Sequence, residues 1–344
     1  MKEIQVPNFD IYKNGSKLSL KEKACVEEII IDEKKDIPAS FMIKYNIVDF
    51  KKFAWDAIDL VEFQIGDTIR VDLGMDQPQQ VISGEIDSMN VVFGEHSYME
   101  ISGFNLLYKL TFGRKTRKFE NMTASDIVSS IASESGLSPQ VDSTKTKHEI
   151  ITQNNKSNYL FLMNLAKRID YELMVNDKTL IFRKSRENDS PVVKFTFGVD
   201  IFDFSTQMVN LDQGSQVEVR GWDMNKKEAV TGSASSGDED GKMGKSESGF
   251  SIASRQSPVQ WQTAMPVDRQ DAGNLARERY NQYLMKFMTG SGQCSGNPDI
   301  RLGKTIDIQG LGKRYSGKYY IHATTHRLDE DGYYTDFSVR KTAI

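Results

Sequence analysis

The sequence predicts a mainly β protein with two similar, tube-like β-barrel domains, a small α/β insert between them and an amphipathic helix inserted in the second barrel. Two observations predict this fold. A glycine-containing β motif occurs once in each half of the chain, and apolar and polar residues alternate over residues 1 to about 115. Alternation with period two puts one face of each strand in a core and leaves the other in water. Closing such strands into a barrel would remove exposed sheet edges.

The repeated motif starts at Gly66 in the first half and at Gly303 in the second. The first copy reads Gly-Asp-Thr-Ile-Arg-Val and the second reads Gly-Lys-Thr-Ile-Asp-Ile. Although Gly-x-Thr-Ile also occurs in unrelated hairpins, further anchors follow in the same order and at nearly the same spacing. This indicates that one β unit is present twice. The further anchors pair Ser83-Gly84 with Ser316-Gly317 and Gly94 with Gly332.

The pattern divides the chain into three domains. Residues 1–115 are predicted to form the first β-barrel domain, residues 116–188 the α+β insert and residues 189–344 the second β-barrel domain. Within the last of these, residues 231–250 are rich in Ser, Gly, Asp and Lys, which predicts a flexible surface loop. Residues 268–288 carry apolar side chains three or four positions apart, which predicts an amphipathic helix.

The insert is predicted from local signals for helix starts and turns. Its first helix should begin at Thr123, because Thr123 can cap the helix and Asp126 can return the bond as in a capping box. A second helix should begin near Ser157. A hairpin that turns at Asn176-Asp177 should complete the insert.

The composition is that of a globular protein with room for two or three domains, because 38% of its 344 residues are hydrophobic and 27% are charged. The net charge of −4 provides no broad basic field, so nucleic-acid specificity is not expected. No apolar run reaches the ~20 residues that span a bilayer, so membrane insertion is not expected. The absence of a signal-peptide core and the presence of only Cys25 and Cys294 predict synthesis in a cytoplasm with reduced thiols.

Several motifs resemble catalytic or metal sites but fail on spacing. His322 and His326 are spaced as in a zinc-protease helix, but Ala323 replaces the catalytic Glu. The segment is predicted to be a strand, in which residues four apart lie ~13 Å from each other. The motif around Cys294 resembles a nucleophile elbow, but a helix precedes it where a strand is required, so a flexible connection is predicted, with a reactive thiol as the alternative. The acidic stretch at Asp238 lacks the last ligand of a calcium loop. No spacing singles out a glycosidase carboxylate pair, so the sequence predicts no enzyme, no cofactor and no metal.

The C-terminal segment contains a recognisable set of glycine, aromatic and histidine positions. They are Gly296-Asn-Pro298, Ile300-Arg-Leu-Gly303, Ile306, Gly310, Tyr315-Ser-Gly317, Tyr319, His326, and Gly332 to Phe337. This set resembles the closing segment of the phage late-control gene D family of tail hub proteins. The order of barrel, α/β insert and barrel is also that of the family, so the resemblance covers most of the chain.

The resemblance implies a structural protein without enzymatic activity. Members of that family form three-chain rings around the tail axis of contractile phages, R-type pyocins and related injection systems, and the N-terminal part of type VI secretion VgrG spikes is similar. For this chain the resemblance implies a baseplate hub, a homotrimer whose duplicated barrels imitate sixfold symmetry. A hexameric inner tube could then stack on one side while a trimeric spike docks on the other.

The implied partners are an inner tube protein, a spike protein and baseplate wedge proteins. Because the sequence ends at Ile344 without needle segments, the spike is expected to be a separate chain, which favours a phage tail, a tailocin or an extracellular contractile injection particle over type VI secretion. The basic residues 114–118 and the acidic residues 238–240 could orient such contacts, although a solvated surface is the simpler interpretation.

The resemblance assigns structural rather than catalytic roles to seven positions. They are Gly303, Gly310, Gly317, Tyr319, His326, Gly332 and Thr335. The alternative function is that of a peptidoglycan-binding or cell-wall-degrading tail-associated protein, because the helix, helix and hairpin within residues 123–182 resemble LysM modules. A small α+β domain with a packed core explains the same residues without a ligand.

Overall fold

Strands from both halves of the chain come together in one sheet. The computed structural model describes residues 6–48, 62–201, 203–209, 216–223, 226–241, 243–244, 247–249, 260–263 and 268–344. Within these residues thirteen strands form one large, mostly antiparallel sheet, and three smaller sheets accompany it. The chain is therefore mainly β, as the alternating pattern predicts.

The strands of the first half alternate buried and exposed residues. The elements are β1 (Pro7–Lys13), β2 (Ser16–Lys17), α1 (Leu20–Lys23), β3 (Val26–Lys34), β4 (Ser40–Asn46), β5 (Thr68–Met75), β6 (Gln79–Val92) and β7 (Tyr98–Asn105). In β4, for example, Phe41, Ile43 and Tyr45 are buried while the residues between them are not. These side chains share one hydrophobic core with Ile69 and Ile101.

The insert has a hydrophobic core of its own. A 3₁₀ helix (Leu106–Thr111) leads into β8 (Lys115–Thr123), α2 (Ala124–Glu134), β9 (Ser138–Val141), β10 (Lys147–Lys156), α3 (Asn158–Arg168), β11 (Tyr171–Asn176) and β12 (Thr179–Lys184). The predicted capping box is confirmed, since the side chains of Thr123 and Asp126 each accept a bond from the other's backbone N–H. The side chain of Ser157 caps α3, and the predicted hairpin turn places Asp177 at φ 50°.

The second half contains the remaining sheet strands and the long helix. Its elements are β13 (Val193–Thr196), β14 (Asp203–Met208), β15 (Gln216–Asp223), β16 (Glu228–Ser235), β17 (Gln260–Thr263), α4 (Arg269–Leu284), β18 (Met288–Ser295), β19 (Thr305–Gln309), α5 (Gly312–Tyr315), β20 (Gly317–Asp329) and β21 (Gly332–Lys341). The helix predicted over residues 268–288 is α4, which is capped by the Asp268 side chain and ends four residues earlier than predicted.

The prediction of a flexible loop over residues 231–250 is wrong for the first part of that segment. Residues 231–235 belong to β16, which pairs with β15 along its whole length. Small residues are needed there because α4 packs directly on the strand. A Cβ built on Gly232 would approach the Ala272 carbonyl carbon to 2.1 Å. Further along the same segment, Met243 and Ser248 are buried.

The two halves of the large sheet have the same strand order. In the first half the order across the sheet is β1-β5-β6-β7-β4-β3, and in the second half it is β13-β19-β20-β21-β18-β14. The first strand of one half, in chain order, therefore has the same position across the sheet as the first strand of the other half. The same holds for the second to the sixth strand of each half. One difference is that β1 pairs antiparallel with β5 whereas β13 pairs parallel with β19.

The correspondence extends to single hydrogen bonds. The Gly66 N–H donates to the Ile86 carbonyl, and the Gly303 N–H donates to the Ile321 carbonyl. The predicted match of Gly84 with Gly317 is wrong by two residues. Gly84 lies opposite Ile69, and the residue opposite Ile306 is Tyr319 rather than Gly317.

A β-bulge falls at the same place in both halves. In β6 the register against β7 shifts between Ile86 and Ser88, and in β20 the register against β21 shifts between Ile321 and Ala323. Each long strand therefore contains one extra residue, Asp87 in β6 and His322 in β20. Bulges bend a strand, and here they separate a first part from a second part of each long strand.

Two separate, closed barrels are not observed. Over the described ranges, the pairing of the large sheet does not return on itself. Instead, the second part of β20 pairs with β3, with Ala323 opposite Lys34 and Leu328 opposite Ile29. This pairing, here called the internal joint, fuses the two halves into one sheet.

Candidate functional site

The face of the sheet that points away from the hydrophobic cores carries a mostly polar row across eight consecutive strands. One row of directly opposed residues crosses all of them: Asp203, Gln293, Asp336, Thr325, Asp32, Ser40, Phe104 and Glu85. Within the row, the Thr325 hydroxyl donates to Asp32 at 2.5 Å, and the Gln293 amide donates to Asp336 at 2.9 Å. A second row of Ser205, Ser291 and Ser338 lies beside it. Where the two rows meet, these side chains line a shallow, open depression of about 320 Å³.

The internal joint is held by a largely buried ion pair as well as by the backbone. The Arg301 guanidinium donates to both carboxylate oxygens of Glu33, at 2.7 and 2.6 Å. The Thr324 hydroxyl and the Leu302 N–H also donate to Glu33, each at 3.3 Å. Burial alone would raise the pKa of the Glu33 carboxyl, but the adjacent Arg301 outweighs it and lowers that pKa overall. The pair links two positions 268 residues apart in the chain.

A second buried ion cluster fixes the insert against β20 and β21. The Tyr320 hydroxyl lies 2.7 Å from both carboxylate oxygens of Glu172. Arg183 and Arg340 approach the same carboxylate to 3.7 and 3.9 Å, and Arg340 also lies 3.5 Å from Glu187. All of these charges are largely removed from water, so each depends on the others for compensation.

Among the seven family-motif positions, His326 and Thr335 are brought together. The Thr335 hydroxyl lies 3.2 Å from Nδ1 of His326, and the Tyr333 hydroxyl lies 2.8 Å from the same nitrogen. Nε2 of His326 lies 3.0 Å from the Ile300 carbonyl, which can only accept, so Nε2 carries the hydrogen in the neutral ring. Burial lowers the pKa of His326 to about 4. The side chain is thus a neutral, fully buried crosslink between β20, β21 and the segment before β19.

The other five positions lie apart from this pair, at turns or in the core. Gly303, Gly310 and Gly317 have φ of 76°, 86° and 121°, in the region that favours glycine, and Gly332 begins β21 after the hairpin turn. Tyr319 is fully buried, and its hydroxyl donates to the Tyr315 carbonyl at 2.5 Å. Their assigned structural roles stay predictions.

Cys294 lies inside a strand rather than in a flexible connection, which corrects the prediction. It is part of β18, its side chain is buried, and Sγ lies 3.6 Å from the Thr335 carbonyl. Burial raises the pKa of the thiol to about 12, which disfavours the nucleophilic thiolate at neutral pH. His322 and His326 lie in strand β20, as predicted.

Neither a metal cluster nor a membrane helix is found in the part of the chain that the structure describes. Within it, no three His, Cys, Asp or Glu side chains are placed to share a metal ion. Every helix there is too short or too polar to cross a bilayer.

The residues of the two ion clusters were missed by sequence reasoning. Arg301 belongs to the Ile300-Arg-Leu-Gly303 motif, so the sequence marks it as part of a motif. Nothing in the sequence indicates that Glu33 is its ion-pair partner. Glu172 lies in the predicted hairpin strand, where a charged residue would ordinarily face water.

A carboxyl at the contact between α4 and the insert gives a pH-dependent prediction. Glu278 is buried and accepts a bond from Lys184 at 3.0 Å, and Asp240 shares that lysine at 3.1 Å. Burial raises the pKa of Glu278 to about 7, despite the lysine. The folded state therefore binds this proton more tightly than the unfolded state. The resulting stabilisation is fully present below the ordinary value near 4.5 and is lost as the pH rises through 7.

Glu278→Gln imitates the protonated carboxyl at every pH, so the variant should gain stability relative to the wild type between about pH 5 and pH 8, by on the order of 2 kcal/mol. Urea unfolding at several pH values measures the difference. Glu134→Gln is the control, because hydrogen bonds from Lys115 and Arg117 lower the pKa of Glu134 and place its titration below this range. A difference for Glu278→Gln that does not change with pH would contradict the prediction.

The fold is shared with phage tail proteins. The 43 kDa tail protein of prophage MuSo2 from Shewanella oneidensis has a TM-score of 0.70 at 13% identity, with 97% of this chain and 98% of that chain covered. A tail protein from Neisseria meningitidis has a TM-score of 0.70 at 12% identity, with 98% and 96% covered. These likenesses concern the fold alone, and they extend over nearly the whole length of both relatives.

A secretion-system protein shares the fold as well. It is an E. coli component of the type VI secretion system, described as structurally similar to the T4 bacteriophage tail proteins gp27 and gp5. Its TM-score is 0.60 at 14% identity, with 92% of this chain and 74% of that chain covered. No curated protein matches the sequence. A family model, that of the Alg8 N-terminal domain, matches residues 3–330, and the chain therefore belongs to the Alg8 N-terminal domain family.

Proposed function

We propose that the chain is a baseplate hub subunit of a phage tail or of a phage-tail-like contractile injection particle, as in the late-control gene D family. The observation that carries the proposal is the duplicated β unit, with one strand order and one bulge position in both halves. The description of the Alg8 N-terminal domain family names no activity, so the proposal draws on the fold and on this duplication.

The duplication gives a physical reason for a threefold ring. Three copies of a chain with two equivalent β units place six similar units around one axis. Such a ring can present near-sixfold symmetry to a hexameric inner tube and threefold symmetry to a spike. The tail and secretion proteins that share the fold make a tube protein, a separate spike protein and wedge proteins suitable partners for this chain.

The three domains have distinct parts in this proposal. Residues 1–115 and 189–344 supply the two β units, which are joined in one sheet, and residues 116–188 decorate the ring. Three hydrophobic cores agree broadly with this division, but Leu328 and Tyr333 join the first core, and Leu107 and Leu110 join the core of the insert. The polar face of the sheet, with its serine and carboxylate rows, would line a water-filled channel. The role is structural and non-enzymatic, and its place is an assembled particle.

Native mass spectrometry of the purified chain tests the proposal. We expect a species of three times the 39.0 kDa monomer, and ring-shaped particles with an open centre by electron microscopy. Because the proposed ring would bury edges between polar surfaces, we expect its affinity to be modest. The trimer should therefore be favoured at high protein concentration. A chain that stays monomeric at every concentration, and that is absent from purified particles of its host, would overturn the proposal.

No specific feature of the insert favours the alternative function, that of a cell-wall protein. The apolar residues of α2 and α3 are buried in the hydrophobic core of the insert. They include Ile127, Ile131, Phe161 and Leu162. Sedimentation with purified peptidoglycan would separate the two functions, because a hub has no reason to co-sediment.

A further inference from the structure

A cavity of about 1020 Å³ lies against the second β unit, and most of its charged side chains are basic. It is bounded by residues of β13, β19, α5, the first part of β20 and the end of β21, together with residues 243–244 and 344. Its described lining residues include four lysines and only one acidic side chain, that of Asp307. The lysines are Lys194, Lys313, Lys318 and Lys341. This space, here called the lysine cavity, therefore carries an excess of positive charge.

Lys341 is a buried cation without a carboxylate partner in the described part of the chain. Only 1% of the residue is exposed, and its Nζ donates to the Ser316 carbonyl at 2.7 Å. The same Nζ lies 5.2 Å from the centre of the Tyr319 ring. Burial lowers the pKa of Lys341 to about 8, and Asp307 opposes this shift only in part. An ammonium has three N–H donors and is unfavourable out of water unless an opposite charge compensates it, so a bound anion would stabilise this lysine.

A second lysine of the cavity is likewise without a carboxylate partner within the described ranges. Lys318 donates to the Asp189 carbonyl at 2.7 Å rather than to a side-chain acid. In the sheet, Lys318 and Lys194 lie on either side of Asp307, each directly opposite it. Directly opposed residues point to the same face of a sheet, so a single carboxylate faces two lysines there. Asp307 also accepts from the Gln309 side chain at 2.6 Å, which uses part of its hydrogen-bonding capacity.

The corresponding place in the first β unit is balanced by its own charges. Arg70 takes the position of Asp307, because each is the fifth residue of the repeated motif. Arg70 donates to both carboxylate oxygens of Asp72, at 2.7 and 2.5 Å, and lies 4.5 Å from the centre of the Tyr12 ring. The excess of lysine is therefore specific to the second unit and is not required by the shared fold.

The size and the charge of the cavity together define the class of ligand. Its volume is at the upper end of the range for sites that hold a small organic molecule, and it far exceeds the ~30 Å³ of a water molecule. A single inorganic anion would therefore leave most of the cavity empty. No arginine is among the described lining residues, so the planar fork that binds phosphate through two parallel bonds is missing. Lysine offers a compact charge that suits a carboxylate oxygen.

We propose that the lysine cavity binds an acidic segment of a partner protein in an extended conformation. Side chains two residues apart in an extended segment point to the same face and lie roughly 6.5–7 Å apart, so alternate Glu or Asp residues reach separate lysines. One carboxylate compensates the buried Lys341, and others meet Lys318 and the exposed Lys313. This contact goes beyond the proposed hub function and does not depend on how many copies of the chain assemble.

Binding of a labelled hexaglutamate peptide to the full-length chain tests the proposal, with hexaglutamine as the uncharged probe. Fluorescence anisotropy should show at least tenfold tighter binding of hexaglutamate, and the affinity should fall as salt is added. Carbodiimide joins a carboxylate to an amine in contact with it, so mass spectrometry should locate the crosslinks at Lys313, Lys318 or Lys341. Equal binding of the two peptides, or crosslinks confined to lysines outside the cavity, would overturn the proposal.

Variants of single lysines provide a second test. Lys341→Met removes the buried charge, keeps a side chain of similar length and should weaken hexaglutamate binding at least tenfold. Lys118→Met is the matched control, because Lys118 is exposed on β8, and should change the affinity less than twofold. Since Lys341→Met removes an uncompensated charge, the urea midpoint of the peptide-free chain should not fall. Lys313→Ala leaves the buried residues unchanged and should weaken binding at least threefold. Equal affinities of the wild type, Lys341→Met and Lys313→Ala would contradict the assignment.

Inorganic phosphate and citrate distinguish a partner segment from a small anion. Each should displace hexaglutamate no more than sodium chloride of equal ionic strength does, because general screening is then its only effect. If either anion displaces the peptide more strongly than the sodium chloride control, the cavity is a site for small anions and the acidic-segment proposal fails.

Discussion

Replacing Glu33 with alanine is expected to lower the free energy of unfolding by about 3 kcal/mol, because it leaves the largely buried Arg301, whose side chain is 21% exposed, without a counter-charge. Arg301 and Glu33 bond through two contacts of 2.6 and 2.7 Å, and Glu33 also accepts from Leu302 and Thr324. The loss should appear as a lower urea midpoint in circular dichroism. Since the pair crosses the internal joint, both β units should unfold at that lower midpoint together.

An exposed ion pair at the same joint provides the control. Arg327 on β20 lies 4.0 Å from Glu28 on β3, with side chains that are 50% and 27% exposed. Solvent screens such pairs, so Glu28→Ala should cost less than about 1 kcal/mol. Equal losses for Glu28→Ala and Glu33→Ala would show that the buried pair has no special part in joining the two halves.

Replacing Glu172 with alanine is expected to cost a similar amount, about 3–5 kcal/mol, for a different reason. Glu172 neutralises two arginines from different elements, Arg183 on β12 and Arg340 on β21, and it accepts from Tyr320. Without it, the largely buried Arg183 loses its carboxylate partner and Arg340 keeps only Glu187 at 3.5 Å. Urea unfolding measures the loss. Limited proteolysis should show faster cleavage between β12 and β13, where the insert leaves the sheet.

Two further variants separate charge from hydrogen bonding at this contact. Tyr320→Phe removes only the hydroxyl and should cost about 1–2 kcal/mol. Asp142→Asn weakens the Arg186–Asp142 pair, whose side chains are 42% and 36% exposed, and should cost less than about 1 kcal/mol. A loss for Glu172→Ala no larger than that for Tyr320→Phe would contradict the role given to the two arginines.

Local signals in the sequence predicted local structure well. The capping box of Thr123 and Asp126 and the turn at Asp177 depend on residues close in the chain, and both are observed. The order of the elements followed from the alternation and the repeat. The internal joint could not be predicted, because strand pairing between distant segments depends on side chains that meet only after folding.

Glycine was interpreted as a sign of mobility at positions where it serves close packing. In β18, Gly290 and Gly292 leave room for Phe204 and Phe337, since a Cβ at either position would approach one of these rings to 3.0 Å or less. In β16, Gly232 makes room for α4 in the same way. Composition alone cannot distinguish a flexible glycine from one that a neighbouring ring or helix requires.

The bulges at Asp87 and His322 have a genetic consequence. Ile86 and Met89 face inwards, as do Ile321 and Thr324, so removal of the one codon for the extra residue of either strand would restore regular alternation without turning any neighbour to the wrong side. Such a deletion would preserve burial but abolish the local curvature. Both halves carry the extra residue, and in β20 it separates the part that pairs with β19 from the part that pairs with β3, so one long strand has two different neighbours in succession.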